Sequence, residues 1–362
     1  MPVTAYTLRP DTQAHAEPGH PERPERTAAI AARLAADPVL AAARAAGQLV
    51  QIQGAEATHE ALLRVHTADY LDRLDALAAS GGGHWDADTY VTLASPRVAR
   101  ETCGDLLACV DAVMRGEAQN AFALGRPPGH HARPGAAMGF CLVSNAAVAA
   151  RHAQAVWGVE RVLIVDIDVH HGNGTEEAFA DDPSVVTFSA HCAGLYPGTG
   201  RVEDVGVGAG RGSVVNVPVP PGADDAGLVG AVERLLPAVA ARARPDLILL
   251  SAGFDAHRLD PLGALALSIA GITDLVRIAC RAADEYAGGR IVATLEGGYH
   301  ASQEGGGVLG HGAASALRVL LDRAAEASDP WAAPSPSGVG PTRTPGPDTA
   351  EVARAVARVH GL

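Results

Sequence analysis

Short apolar runs rich in β-branched residues alternate along this chain with stretches whose apolar positions recur at helical spacing. The runs predict strands at Asn120–Leu124, Arg161–Asp166, Ser184–Ser189, Asp246–Ser251 and Ile291–Leu295. The helical spacing predicts helices over Thr27–Ala36, Pro96–Arg115, Ser144–Ala155, Asp225–Ala243, Ile272–Ala287 and Val308–Ala325. Strands that alternate with helices imply an α/β fold, with a parallel sheet covered on both faces. Val162–Val165 and Leu247–Leu250 are apolar without a break, as strands buried on both faces should be. Gly194–Gly212 is glycine-rich and reads as a long loop. From Asp329 to Pro347 the chain is rich in Pro, Ser and Gly and reads as a linker. Beyond it, Glu351–His360 returns to helical spacing and reads as a docking helix. There is no internal repeat.

Composition narrows this picture. A chain of 362 residues, 48% of them hydrophobic, can bury a large core. No uncharged apolar run reaches the ~18 residues of a membrane span, and Met1–Pro10 lacks the apolar stretch of a secretory signal. Five cysteines (Cys103, Cys109, Cys141, Cys192, Cys280) form no CxxC pair and suit reduced thiols in a cytoplasm. The net charge is −13, every one of the 28 basic residues is arginine, and no lysine occurs. That acidic balance disfavours nucleic acid as a partner and mildly favours a cationic amine.

The chemistry gathers where ligands gather in an open parallel sheet, beyond the carboxyl ends of the strands. Asp166, Asp168, His170, His171 and Asn173 follow one predicted strand, and Ser251, Gly253 and Asp255 follow a second. Arg126, His130 and His131 follow a third, and Glu296 and Tyr299 a fourth. A capped strand end would explain any one of these clusters; four at one rim are hard to explain as packing. Asp168 and His170 lie two apart, so an extended backbone points both side chains one way. With Asp255 they offer two carboxylates and an imidazole, the three protein ligands typical of a catalytic zinc. His130 and His131 can move protons near neutral pH, and Asp166 and Asn173 remain to orient them. Tyr299 follows two glycines and can donate to a developing oxyanion. A dinucleotide reading of Gly206–Gly210 fails, because the spacing is wrong and no helix is predicted after it.

These blocks are also where the chain resembles a known family. RPPGHHARPGAAMGFC (126–141), VDIDVHHGNGT (165–175), SAGFDAHRLDPLG (251–263) and LEGGY (295–299) are similar to the signature blocks of the histone deacetylase and acetylpolyamine amidohydrolase superfamily. GHPERPER (19–26) is similar to that family's first loop. The resemblance runs from about Gly19 to Ala325, with the blocks in the expected order. It implies the arginase–deacetylase fold, three layers around an eight-stranded parallel sheet. Residues 1–327 would form the deacetylase domain, 328–348 the linker and 349–362 the C-terminal helix. It implies zinc on Asp168, His170 and Asp255, with His131 as general base supported by Asn173, and His130 supported by Asp166. Tyr299 would polarise the scissile carbonyl. Gly139, Phe140 and Tyr196 would wall a narrow acyl-lysine tunnel, and Asp166, Asp168, His170 and Ser189 would lie beside a potassium ion.

Two departures refine the expectation. Asn173 stands where class I deacetylases carry Asp, which places the chain nearer the class II and bacterial branch. Leu262 stands where some polyamine-selective members carry an acid, which favours acetyl-lysine over a polyamine. Asp88 would contact a peptide backbone or an amine. The runner-up is an acetylpolyamine or other small-molecule deacylase. Behind it come a binuclear manganese ureohydrolase, whose further ligands are missing from these blocks, and a non-catalytic acyl-binding module. Homo-oligomerisation is left open.

Overall fold

A computed structural model of the chain describes residues 3–9, 14–302, 305–327, 329–331 and 349–362. The predicted linker, 328–348, lies outside these residues except for Asp329–Trp331. The strands are β1 (Thr4–Leu8), β2 (Leu49–Gln51), β3 (Gly83–His84), β4 (Tyr90–Val91), β5 (Asn120–Leu124), β6 (Val162–Asp166), β7 (Val185–Cys192), β8 (Val214–Val219), β9 (Leu247–Ala252) and β10 (Ile291–Leu295). The helices in the first half are α1 (Glu25–Ala36), α2 (Pro38–Ala45), α3 (His59–Leu63), α4 (Ala68–Ala79), α5 (Ser95–Met114) and α6 (Asn145–Trp157). They continue with α7 (Asn173–Phe179), α8 (Asp225–Ala243), α9 (Ile269–Tyr286), α10 (Gly307–Leu321) and α11 (Thr349–His360).

Eight of these strands form one parallel sheet in the order β2-β1-β5-β10-β9-β6-β7-β8. Successive side chains on a strand face opposite ways, and here both ways lead to a core. On β6, Leu163 and Val165 join the core beneath α1, α8, α9 and α10, whereas Val162 and Ile164 join the core beneath α4, α5 and α6. β9 repeats the division, with Ile248 and Leu250 on one side and Leu247 and Leu249 on the other. Burial on both faces is why these strands read as continuous apolar runs.

Three sheet strands lack that signal. β1 (TAYTL) alternates small and hydroxylated residues, β2 has three residues, and β8 carries Pro218. Proline is tolerated in β8 because that strand is an edge, where one side of the ladder needs no amide. The predicted loop at Gly194–Gly212 is irregular apart from a short 3₁₀ turn at Gly208–Gly210. α11 packs against α8 and β8.

The topology decides where the chemistry falls. β5, β10, β9 and β6 are consecutive neighbours in the middle of the sheet. The four polar blocks that follow them therefore meet at one place on its carboxyl edge.

Candidate active site

Asp168 and His170 leave the end of β6, and Asp255 leaves the end of β9. One ligand atom from each lies within 4.8 Å of the others. Asp168 Oδ1 accepts from the His170 amide at 2.9 Å and faces His170 Nδ1 at 3.0 Å. Its Oδ2 accepts from the Gly297 amide at 2.7 Å. Asp255 Oδ1 accepts from the Val169 amide at 3.0 Å, while its Oδ2 is buried, accepts no well-directed hydrogen bond among the described residues and lies 3.3 Å from His170 Nδ1. A Cβ on Gly297 would come within 1.8 Å of Asp255 Oδ2 and 2.6 Å of Asp168 Oδ2, so only glycine lets this loop close against the acids.

Two buried carboxyls side by side cannot both be comfortably ionised without a cation. Burial and the charge of Asp168 push Asp255 up to about 7. Burial works against ionising Asp168 too, but His130 and His170 overcome it and hold its pKa below the ordinary range. Two carboxylates and an imidazole, with Asp255 Oδ2 accepting no well-directed hydrogen bond among the described residues, form a set that a divalent cation would satisfy.

The histidine pair sits beside this cluster, ring centroids 4.0 Å apart, on the turn after β5. Glu296 holds that turn by accepting from the Gly129 and His130 amides at 2.7 and 3.1 Å. The partners of the two rings differ by one charge. His130 Nδ1 meets Asp166 Oδ2 at 2.9 Å, and His131 Nδ1 meets Asn173 Oδ1 at 2.7 Å. Burial opposes charge on His130, but Asp168 and Asp166 overcome it and raise its pKa well above the usual value. Burial and the neighbouring His130 and His170 drive His131 well below it. An amide oxygen only accepts, so Nδ1 of His131 bears the proton and Nε2 keeps a free lone pair.

Tyr299 is nearly buried, its ring 5.7 Å from Phe140 and 4.8 Å from the Arg26 guanidinium. Burial raises its phenol well above the usual value, so it stays a donor. Tyr196 stands across from the pair, 5.1 Å from His131 and 6.5 Å from His170. Gly139 (φ 53°) and Phe140 (φ 69°) are both left-handed, a rare backbone for phenylalanine. A Cβ on Gly139 would approach His131 to 2.5 Å and Tyr196 to 2.8 Å. Gly139 and Tyr196 thus border His131, while Phe140 stands edge-on to Tyr299.

Leu262 and Asp88 lie further out. Leu262 is half-buried and donates its amide to Asp260 Oδ1 at 3.0 Å. Asp88 is exposed, its carbonyl accepting from His20 Nε2 at 3.0 Å, and partial burial with Asp86 nearby raises its carboxyl. The side chains expected beside potassium are already engaged. Asp166 accepts from His130 and from the Asp168 amide, and Ser189 Oγ meets His191 Nδ1 at 2.9 Å.

Sequence reasoning gave no role to the groups that hold these parts in place. Asp260 Oδ2 accepts from the Tyr299 and His300 amides at 2.6 and 3.1 Å. Ser251 donates to Glu296 at 2.9 Å. Arg26 donates to the Glu296 carbonyl and, at 2.8 Å, to that of Gly298. Glu22 pairs with Arg26 at 3.2 Å and with Arg126 at 2.8 Å, all three fully buried. One signal was available, since Glu22 and Arg26 are opposite charges four residues apart in a proline-rich turn.

The chain is similar to known proteins along most of its length. A family model described as histone deacetylase domain matches residues 20–311. A histone deacetylase-like amidohydrolase of Pseudomonas aeruginosa is 40% identical over 304 residues, covering 83% of this chain and 76% of that protein. Histone deacetylase 14, chloroplastic, of Arabidopsis thaliana is 38% identical over 326 residues, covering 87% and 76%. The crystal structure of the HDA15 HD domain superposes with a TM-score of 0.84 at 34% identity, covering 99% of this chain and 95% of that one.

Proposed function

Because the chain belongs to the histone deacetylase family, we propose that it is a zinc-dependent amidohydrolase that releases an amine from its acyl group, with acetyl-lysine as the first substrate. The observation that carries this reading is the convergence of Asp168, His170 and Asp255 beside two histidines tuned in opposite directions. A zinc ion held by those three residues would supply a Lewis acid for the amide carbonyl and for the attacking water.

The chain's own residues divide the remaining work. His131, neutral and with Nε2 open, takes a proton from the attacking water and returns it to the leaving nitrogen. Asn173 holds that ring in the tautomer the transfer needs. His130, oriented by Asp166, stands beside the forming oxyanion as the second imidazole of the pair. Tyr299 donates its phenol proton in a hydrogen bond to the same oxygen. Gly139, Phe140 and Tyr196 confine a slender acyl-bearing chain between aromatic faces. Residues 1–327 carry the activity, and the 349–362 segment docks on them through α8 and β8.

The test is turnover of the zinc-loaded chain on an acetyl-lysine peptide and on an acetylated polyamine at matched concentrations. Preference for the peptide is expected, because Leu262 offers no charge to a second ammonium group. Preference for the polyamine would replace this reading with a small-molecule deacylase. Turnover of neither would sink both.

A further inference from the structure

Trp331 touches none of the reacting groups, and it lies beyond the residues 20–311 that match the family model. Its ring is seated among three imidazoles from three separate segments. The centroids are 5.2 Å from His311 on α10, 5.8 Å from His300 after β10 and 6.1 Å from His257 after β9. The interplanar angles are 79°, 76° and 68°, the edge-to-face arrangement that aromatic quadrupoles favour. The segment is fastened at both ends of its short turn. Asp329 accepts from the Trp331 amide at 2.9 Å and from the Ile269 amide, at the start of α9, at 3.0 Å. The Arg258 guanidinium donates to the Trp331 carbonyl.

Two of the three histidines belong to segments that carry the site. His257 follows Asp255 by two residues, and His300 directly follows Tyr299. Asp260 already ties these segments together. Its carboxylate holds the Tyr299 and His300 amides, and its own amide donates to the His257 carbonyl at 2.9 Å. His257 Nδ1 accepts from the Leu259 amide at 3.1 Å, so Nε2 bears the ring proton, and that buried N–H has no oxygen or nitrogen partner among the described residues. The indole is the π system beside this imidazole, and an aromatic face can compensate part of an unmade hydrogen bond.

We propose that Trp331 is a positioning residue, resting on the deacetylase reading above. Through His300 and His257 it sets the spacing between the Tyr299 phenol and the Asp255 loop. Asp260 fixes the backbones of the two segments, and the indole fills the space between their side chains. Without it the backbone bonds remain, so the fold survives while the phenol loses its fixed distance from the metal-ligand cluster. Loss of such support lowers turnover by about 10–100-fold in comparable sites.

The experiment uses the full chain loaded with zinc, as Trp331→Ala, Trp331→Phe and Asp329→Ala. It measures kcat and KM on an acetyl-lysine peptide, bound zinc, and amide exchange by mass spectrometry. The expected result for Trp331→Ala is a kcat lower by about 10–100-fold, with KM and bound zinc unchanged. Exchange should quicken at 257–262 and 299–302 but not in β5 or β6. Trp331→Phe should recover most of the activity, because an aromatic edge remains. Asp329→Ala, which frees the segment yet keeps the indole, should reproduce the defect even if Trp331→Ala does not fold. Wild-type kcat in Trp331→Ala or in Asp329→Ala overturns the proposal, as does loss of zinc in step with activity. A wild-type chain inactive on every acylated amine would instead sink the deacetylase reading, and the exchange measurement would still test the brace.

Discussion

At the floor of the site Asp166, Asp168, Asp255 and Glu296 are at most 3% exposed, and each is fixed by main-chain amides or by a histidine. At its mouth Tyr196 is 38% exposed, Asp88 is exposed, and Phe140 is held by its amide donating to Thr89 Oγ1 at 3.2 Å. The floor is electrostatically tight. Removing one charge there strands others in a medium where an unpaired ion is costly. The mouth is held by backbone geometry and ring contacts, and its candidate acid Asp88 faces solvent. The floor therefore sets what reaction is possible, and the mouth sets which amine enters. Substitutions in the two regions should differ in size and in the kinetic constant they move.

The largest effect should come from Asp255→Ala. It removes one of the three proposed ligands and the carboxyl that burial and Asp168 have pushed up to about 7. Turnover should fall about a thousandfold or more, with bound zinc lost in parallel. Elemental analysis and turnover on one preparation check both, and full turnover with zinc retained would remove Asp255 from the ligand set.

Tyr299→Phe comes next. It keeps the ring against Phe140 and Arg26 while deleting the donor, so kcat should fall about 10²–10³-fold with little change in KM. A loss confined to KM would move Tyr299 from the floor to the mouth.

A third prediction asks what holds the mouth together. His66 Nδ1 donates to the Arg133 carbonyl at 3.1 Å, and Nε2 accepts from the Ser144 amide at 3.0 Å. One buried imidazole thus clasps both ends of the segment that carries Gly139 and Phe140. Burial lowers its pKa from 6.5 to about 4, and a charged ring would turn a donor toward the Ser144 amide. The folded value lies below the unfolded one. The contribution is therefore complete above pH 6.5 and is lost as pH falls through about 4. This group alone should lower stability by roughly 2 kcal/mol between pH 7 and pH 5. Urea unfolding at both values, with His66→Gln as control, checks it. An unchanged pH dependence in the variant would show that other groups govern the slope.

The same contrast explains what the sequence made legible. β5, β6, β9 and β10 stand out because burial on both faces demands unbroken apolar runs, and the site residues stand out because they interrupt those runs at the strand ends. β1, β2 and β8 are edge or near-edge strands whose pairing the pattern does not enforce. Asp168, His170 and Asp255 stand out because they follow two of those runs, although the structure places them in bends and a turn beyond β6 and β9 and not on extended strand. Asp260, Arg26 and His66 do not stand out. Each acts on main-chain amides or carbonyls far along the chain, and no periodicity records such a bond. Positive φ at Phe140 was equally silent, since it departs from what a phenylalanine favours.

The smallest effect should belong to Asp88, and it bears most directly on the substrate. Its carboxyl is exposed, so any attraction for an incoming ammonium or amide is screened by water and salt and is worth at most about 1 kcal/mol. Asp88→Asn should therefore raise KM by no more than about fivefold and leave kcat unchanged, because no floor residue depends on it for a hydrogen bond. The direction of selectivity carries the information. If Asp88 reads a peptide backbone, the rise in KM should be confined to the acetyl-lysine peptide and persist at high salt, since an amide contact survives screening better than a charge pair. If it attracts a second ammonium group, the acetylated polyamine should suffer more, and added salt should erase the difference from wild type. A fall in kcat with either substrate would show that the mouth and the floor are coupled, and the separation of their roles would fail.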